Sequence, residues 1–196
     1  MEAADPREGR PGALARSLGE RPDILFTVHE GNIDQIEEVY KTISRPNNLM
    51  LILNPMFEYN TVGSRLSEEA LNELEAWGRK KLVYLNKAFV TLRRNGGNNI
   101  QEPVCKAMSS TIVISPENKL ILPCYHLGLE ELPIENNLLA LRKSEKVKAA
   151  IAMEGRYEGC AGCTVNCYMQ PSFAVEVNQY FWQALPSTVK YWWEKL

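Results

Sequence analysis

The chain of 196 residues carries 22 basic and 24 acidic side chains, a net charge of −2, and its 45% hydrophobic content is enough to bury a globular core. The charges are mixed along the chain, so there is no basic patch of the kind that holds nucleic acid, and no apolar run approaches the ~20 residues that span a bilayer. At roughly 150 residues per domain, the length predicts one or two domains.

Residues 1–22 are rich in Ala, Gly, Pro, Arg and Glu and show no apolar period, so they read as a flexible leader. They contain no apolar segment of the secretory type, which predicts a cytoplasmic chain without disulfides. Asp23-Ile-Leu-Phe-Thr-Val28 is a run of strand length. Asn32 with Gln35 forms a capping pair for a helix whose Ile33, Ile36, Val39, Tyr40 and Ile43 share one face. The helix ends at Arg45-Pro-Asn-Asn48, and Leu49-Met-Leu-Ile-Leu53 is apolar at every position, as a strand buried on both faces would be. Strand, helix and strand together predict a parallel βαβ unit.

After a loop holding Phe57, Tyr59 and Gly63, Ser67 caps a helix bearing Leu71, Leu74 and Trp77, and a second stretch carries Leu82, Leu85, Phe89 and Leu92. Arg79, Lys80 and Lys81 read as a solvated face. Asn95-Gly-Gly-Asn-Asn99 breaks the chain and predicts a domain boundary. Beyond it, Thr111–Ser115 and Lys119–Pro123 read as the strands of a β-hairpin turning at Pro116-Glu-Asn118. Asn137 to Leu141 is a short helical turn, and Ser144 caps a helix that presents Val147, Ala150, Ile151 and Met153 before Gly155 ends it. In the tail, residues 173–196, Tyr180, Phe181, Trp182, Tyr191, Trp192 and Trp193 read most simply as packing onto the host domain; a membrane interface or a partner is the other reading.

The five cysteines stand apart from these periodicities. Cys105 and Cys124 flank the predicted hairpin, which brings them together, and Cys160-Ala-Gly-Cys163-Thr-Val-Asn-Cys167 places three in a glycine-containing loop. A Cys-x-x-Cys turn supplies two thiolates from one loop, and a metal or iron–sulfur centre needs several converging thiolates. Small buried thiols scattered by chance are the alternative, but an odd count in a cytoplasmic chain points to ligands or free thiols. His126, two residues after Cys124, is a further possible ligand, ranked below the cysteines.

Cys105-Lys-Ala-Met108, Ile112-Val-Ile-Ser-Pro-Glu-Asn-Lys119, Leu122-Pro-Cys124, Pro133-Ile-Glu-Asn-Asn-Leu138, Ser144 and Cys160-x-x-Cys163-x-x-x-Cys167 together resemble the auxiliary-cluster region of radical S-adenosylmethionine (radical SAM) enzymes, the SPASM or shorter twitch domain. The resemblance covers about residues 105–170 and is weaker upstream from about 23. It implies an α/β fold: a partial (β/α) barrel fragment at 23–98, a small α+β cluster-binding domain with a β-hairpin at 99–172, and an aromatic helical tail at 173–196.

The implied cofactor is a four-iron four-sulfur (4Fe–4S) cluster on Cys105, Cys124, Cys160 and Cys163. Cys167 is then a spare, a substitute ligand or a buried thiol. In such barrels functional groups follow the strand C-termini, which implies a cofactor- or substrate-facing rim at His29, Glu30 and Asn54; turn and loop formation accounts for the same residues. The hairpin turn has Asn118 where the family usually has glycine, and Asn tolerates the left-handed conformation required.

The family's Cys-x-x-x-Cys-x-x-Cys, which binds the SAM-cleaving cluster, is absent from this sequence. The resemblance therefore implies a chain that is not active alone, uses S-adenosylmethionine only if a missing N-terminal half is supplied, and works with a separate radical SAM core chain or a redox partner. The auxiliary cluster would transfer electrons or support the fold. The competing reading is a structural zinc module that binds a partner protein.

Overall fold

The computed structural model describes Gly19 and residues 21–59, 62–63, 65–135 and 137–195. Most of the predicted leader, residues 1–18 and 20, lies outside the described residues. The chain divides into two compact units. One takes in the described residues of 1–56, 64–90 and 183–196, and the other takes in 57–63 and 91–182. The division falls between Val90 and Thr91, inside a helix, rather than at the Asn95–Asn99 break.

The first unit is a small parallel sheet with helices. β1 (Ile24–Val28) runs parallel to β2 (Leu51–Pro55) in continuous register from Ile24 opposite Leu51 to Val28 opposite Pro55. α1 links them as a helical run: a 3-10 turn at Ile33–Gln35, α-helix at Ile36–Val39, a π-helical stretch at Tyr40–Ser44 and a last turn at Arg45–Asn47. Pro46 has no N–H to return to the preceding turn, which accounts for a widened ladder just before it. Asn48, at φ 54°, stops the run in the left-handed conformation.

The expected Asn32 cap does not form. Asn32 instead accepts the His29 N–H at 2.9 Å and donates to the Thr27 carbonyl at 3.0 Å, closing the loop after β1. Ser67 does cap α2 (Glu68–Gly78), accepting the Ala70 N–H at 3.1 Å. The second apolar stretch, after Gly78, opens with a third strand. Leu82 turns at φ 59°, and β5 (Val83–Tyr84) pairs parallel with β2, giving the order β1-β2-β5. Only then does α3 (Lys87–Arg94) begin. Among the described residues the sheet has these three strands and closes no barrel.

Val28, Ile36, Leu51, Leu53, Leu74, Val83 and Val90 form the centre of this core, each at most 1% exposed. The C-terminal half of α8 (Gln179–Lys195) is tied to the unit by polar contacts. Lys190 Nζ donates to the carbonyls of Gly78, Lys80 and Val83 at 2.7, 2.6 and 2.9 Å, and Tyr191 donates to Asp23 at 2.6 Å.

In the second unit, β3 (Glu58–Tyr59) and β4 (Val62–Gly63) make a short antiparallel pair. α4 (Ala107–Ser110) follows Cys105, then β6 (Lys119–Leu122), β7 (Glu130–Pro133), α5 (Leu138–Arg142), α6 (Glu145–Ala152), a 3-10 turn at Glu158–Cys160 and α7 (Asn166–Ser172). The predicted hairpin forms in short form: Ile114 bridges Leu120, the Ser115 N–H donates to the Lys119 carbonyl at 2.8 Å and the Ile121 N–H to the Val113 carbonyl at 2.9 Å. The hairpin's turn is as expected, with Asn118 at φ 57° donating to Ser115 at 3.0 Å. The longer ladder of β6 is with β7, from Lys119 opposite Pro133 to Leu122 opposite Glu130.

Met108, Leu120, Leu122 and Val147 form one apolar cluster of the unit. Asn137 and Ser144 cap α5 and α6. The tail aromatics divide: Tyr180 stacks on Phe173 with ring centroids 5.5 Å apart, while Trp182 and Trp193 are 61% and 82% exposed.

Candidate metal centre

All five cysteines belong to the second unit and none is in a disulfide. Cys105, Cys124 and Cys160 are buried, Cys163 is half-buried and Cys167 is exposed. Four of them come from different local devices. Cys105 lies in the extended segment before α4, Cys124 follows β6 after a cis Leu122–Pro123 bond, Cys160 closes the 3-10 turn, and Cys167 is in α7.

Asn98, 2% exposed, draws the segments of Cys105, Cys160 and Cys163 together. Its Oδ1 accepts the Cys105 N–H at 3.0 Å, and its Nδ2 donates to the carbonyls of Cys160 at 3.1 Å and Gly155 at 2.8 Å. Its backbone N–H donates to the Cys163 carbonyl at 3.0 Å, and its carbonyl accepts the Gly162 N–H at 2.9 Å. One side chain and one peptide thus hold three of the cysteine segments. The glycines beside it let backbones meet. Gly97 has φ 83°, and a Cβ there would sit 2.2 Å from the Gly162 carbonyl oxygen.

A second anchor is Glu154, 7% exposed. Its carboxylate accepts the Met108 and Ser109 N–H groups at 3.1 and 2.9 Å and the Ser109 hydroxyl at 2.7 Å, fixing α4 immediately after Cys105. Ser172 accepts the Lys106 N–H at 2.8 Å, and Thr164 accepts the Glu58 N–H at 2.7 Å. These polar anchors were not singled out in the sequence, where Asn98 is one of several turn residues and Glu154 an ordinary charge at a helix end.

The thiols act on one another. Burial pushes the Cys105 thiol up to about 12, and the Cys163, Cys160 and Cys124 sulfurs add to the rise. Burial likewise holds Cys160 and Cys163 at about 11, with Cys124 contributing to both, and it raises Cys167, again with help from Cys124. Cys124 is therefore common to the fields of the other four. Cys105, Cys124, Cys160 and Cys163, buried or half-buried in one unit, are soft donors of the kind that zinc and iron–sulfur clusters take. As placed, no group of three or more His, Cys, Asp or Glu among the described residues could hold a metal ion.

His126 packs edge-on against four rings, with centroids at 5.6 Å from Phe57, 5.3 Å from Tyr59, 5.9 Å from Tyr125 and 5.8 Å from Tyr168. Among the described residues its buried Nδ1 has no hydrogen-bond partner, which costs roughly 1–3 kcal/mol if nothing binds it. Burial lowers its pKa, keeping the imidazole in the neutral form that ligates metals. Beside Cys105 lies a cleft of about 540 Å³ lined by Asn95, Lys106, Arg156, Glu176 and Tyr180 among others. Lys106 pairs with Glu176 at 2.9 Å and Asn95 donates to Tyr180 at 3.0 Å, so these polar groups satisfy one another.

His29, Glu30 and Asn54 belong to the first unit. His29 and Glu30 follow β1, as expected. His29 Nδ1 accepts the Gly31 N–H at 3.1 Å, and Glu30 accepts the Ser67 hydroxyl and N–H at 2.6 and 3.1 Å, contacts that lower its pKa. Asn54 is corrected from a position after β2 to one inside it, opposite Thr27, because the ladder continues to Pro55. No protein-family model, curated protein or solved structure matches the chain.

Proposed function

We propose that this chain is an iron–sulfur protein: a radical SAM-like auxiliary portion that carries one 4Fe–4S cluster on Cys105, Cys124, Cys160 and Cys163. The observation that carries the reading is that these four cysteines, buried or half-buried, fall in one unit, with Asn98 holding three of their segments together. Such a cluster would supply one-electron transfer or structural support. Cys167, exposed on α7, ranks below the other four as a ligand. The three parallel strands of the first unit are consistent with a piece of a (β/α) barrel, and His29, Glu30 and Asn54 are then its candidate rim toward substrate or S-adenosylmethionine. Radical generation would fall to a separate core chain, with a redox partner serving the cluster.

One observation favours the second reading, a structural zinc site. The unpartnered Nδ1 of His126, two residues from Cys124, suits a mixed Cys/His set. Iron, acid-labile sulfide and zinc per chain, with a visible spectrum on protein purified without oxygen, decide between the two. About four irons and four sulfides with a brown colour are expected. Zinc without sulfide would hand the site to the second reading, and neither metal would overturn both.

A further inference from the structure

The part of α8 that belongs to the sheet unit, from Gln183 onward, turns its polar side to that unit. Ser187 is buried and accepts the Lys87 N–H at 3.3 Å, and Glu194 accepts the Leu82 N–H at 2.6 Å. Lys190 reaches three carbonyls of the unit and Tyr191 reaches Asp23. With 3.6 residues per turn these four side chains share one side of the helix, while Leu185, Val189, Trp192 and Trp193 fall on the other in a stripe about 100° wide. The stripe is open to solvent, at 39%, 58%, 59% and 82% exposed in that order.

A surface helix ordinarily buries its apolar stripe and gives its polar side to water. Here the two sides are exchanged, and an exposed apolar patch of this kind marks an interaction surface. The charges select what covers it. Lys190 is engaged with its three carbonyls and Lys195 with Asp23 at 2.5 Å, so neither described cation of the helix is left for the phosphates of an anionic membrane. The stripe itself carries no charge that would repel an identical stripe. Leu185, Val189 and Trp192 are spaced four and three residues apart, the alternation by which one helix packs along another. Large aromatic side chains dominate the area, and two such stripes together cover on the order of 1,000 Å², enough for a specific interface.

We propose that two copies of the chain associate through this stripe of α8, helix against helix about a two-fold axis. Val189 lies at the middle of the stripe, so the axis brings it close to its counterpart whichever way the helices run. No cysteine takes part.

The test is sedimentation equilibrium of the full chain over a concentration series reaching roughly 100 µM, with a reductant present so that the exposed Cys167 forms no cross-link. The unsubstituted protein is expected to reach the mass of a dimer. Val189→Glu puts an unpaired charge into the seam and is expected to raise the dissociation constant about a hundredfold or more. Glu73→Lys, exposed on α2, is expected to leave it in place. A monomer throughout the series overturns the inference, and co-sedimentation of that monomer with phosphatidylcholine–phosphatidylglycerol vesicles would give the stripe to a membrane instead. A dimer that Val189→Glu leaves intact overturns it as well, since the contact then lies elsewhere. If Val189→Glu fails to fold, the unsubstituted dimer decides: dilution through its dissociation is expected to shift tryptophan emission to the red as Trp192 and Trp193 meet water, and unchanged emission overturns the inference.

Discussion

In the sheet unit, Leu51, Leu53, Leu74 and Val83 are all but sealed from solvent, and strand order follows from where those side chains are buried. In the cysteine unit apolar side chains such as Phe173, Met169 and Val165 are sealed as well, but the segments that carry sulfur are placed by polar side chains reaching backbone: Asn98, Glu154, Thr164 and Ser172. The difference teaches how each unit should fail. Apolar burial is non-directional and degrades by degrees when a methylene group is lost. A buried amide that satisfies several backbone groups is directional, and its loss orphans all of them at once.

Breaking the sulfur set gives the largest effect. Cys163→Ser should abolish most metal uptake by the reconstituted chain, and Cys167→Ser should lower it less, measured as iron and zinc per chain; equal losses would refute the ranking of Cys167 below the other four. Asn98→Ala should come next. It removes three buried side-chain hydrogen bonds, costing roughly 3–5 kcal/mol in denaturant unfolding, and it should lower metal uptake as well. A smaller metal loss than that of Cys167→Ser would mean that Asn98 holds the fold but not the thiols.

Leu74→Ala in the sheet unit should cost about 2–5 kcal/mol, with thiol count and metal stoichiometry in the folded fraction unchanged. A change in stoichiometry would show that the two regions do not fail separately.

A pH series sharpens the same contrast. Cys105, Cys160 and Cys163 are raised to about 12, 11 and 11, against about 8.5 for an ordinary thiol. Their raised values mean that the fold prefers the neutral thiol. That stability is fully present below about pH 8.5 and is lost as pH climbs through 11 to 12. The urea midpoint of metal-free protein should therefore fall from pH 8 to 10, and a flat profile would contradict the burial of these thiols. The smallest effect should be that of Ser67→Ala, which removes the cap of α2 for about 1 kcal/mol, read as a lowered thermal midpoint.

Local rules made part of this legible. The strand at Ile24–Val28, the existence though not the end of the one after Leu49, the caps Ser67, Asn137 and Ser144 and the left-handed Asn118 follow from residue type and spacing alone. β5 was hidden because two residues cannot display a period, and Leu82, Leu85, Phe89 and Leu92 imitate a helical one. β7 was hidden because Glu130-Glu-Leu-Pro133 is polar on its exposed side and lies beyond the nearer partner of β6.

The cysteine spacing was enough to nominate a metal centre, since thiolates in a Cys-x-x-Cys turn carry their meaning in the sequence itself. What only the tertiary structure decided was how the thiol segments are held. Asn98, Glu154 and Ser172 act over separations of up to 66 residues, and nothing local distinguishes a buried amide, carboxylate or hydroxyl from the same groups in solvent. Their roles follow from burial, which makes each polar atom find a partner and so turns ordinary residues into anchors.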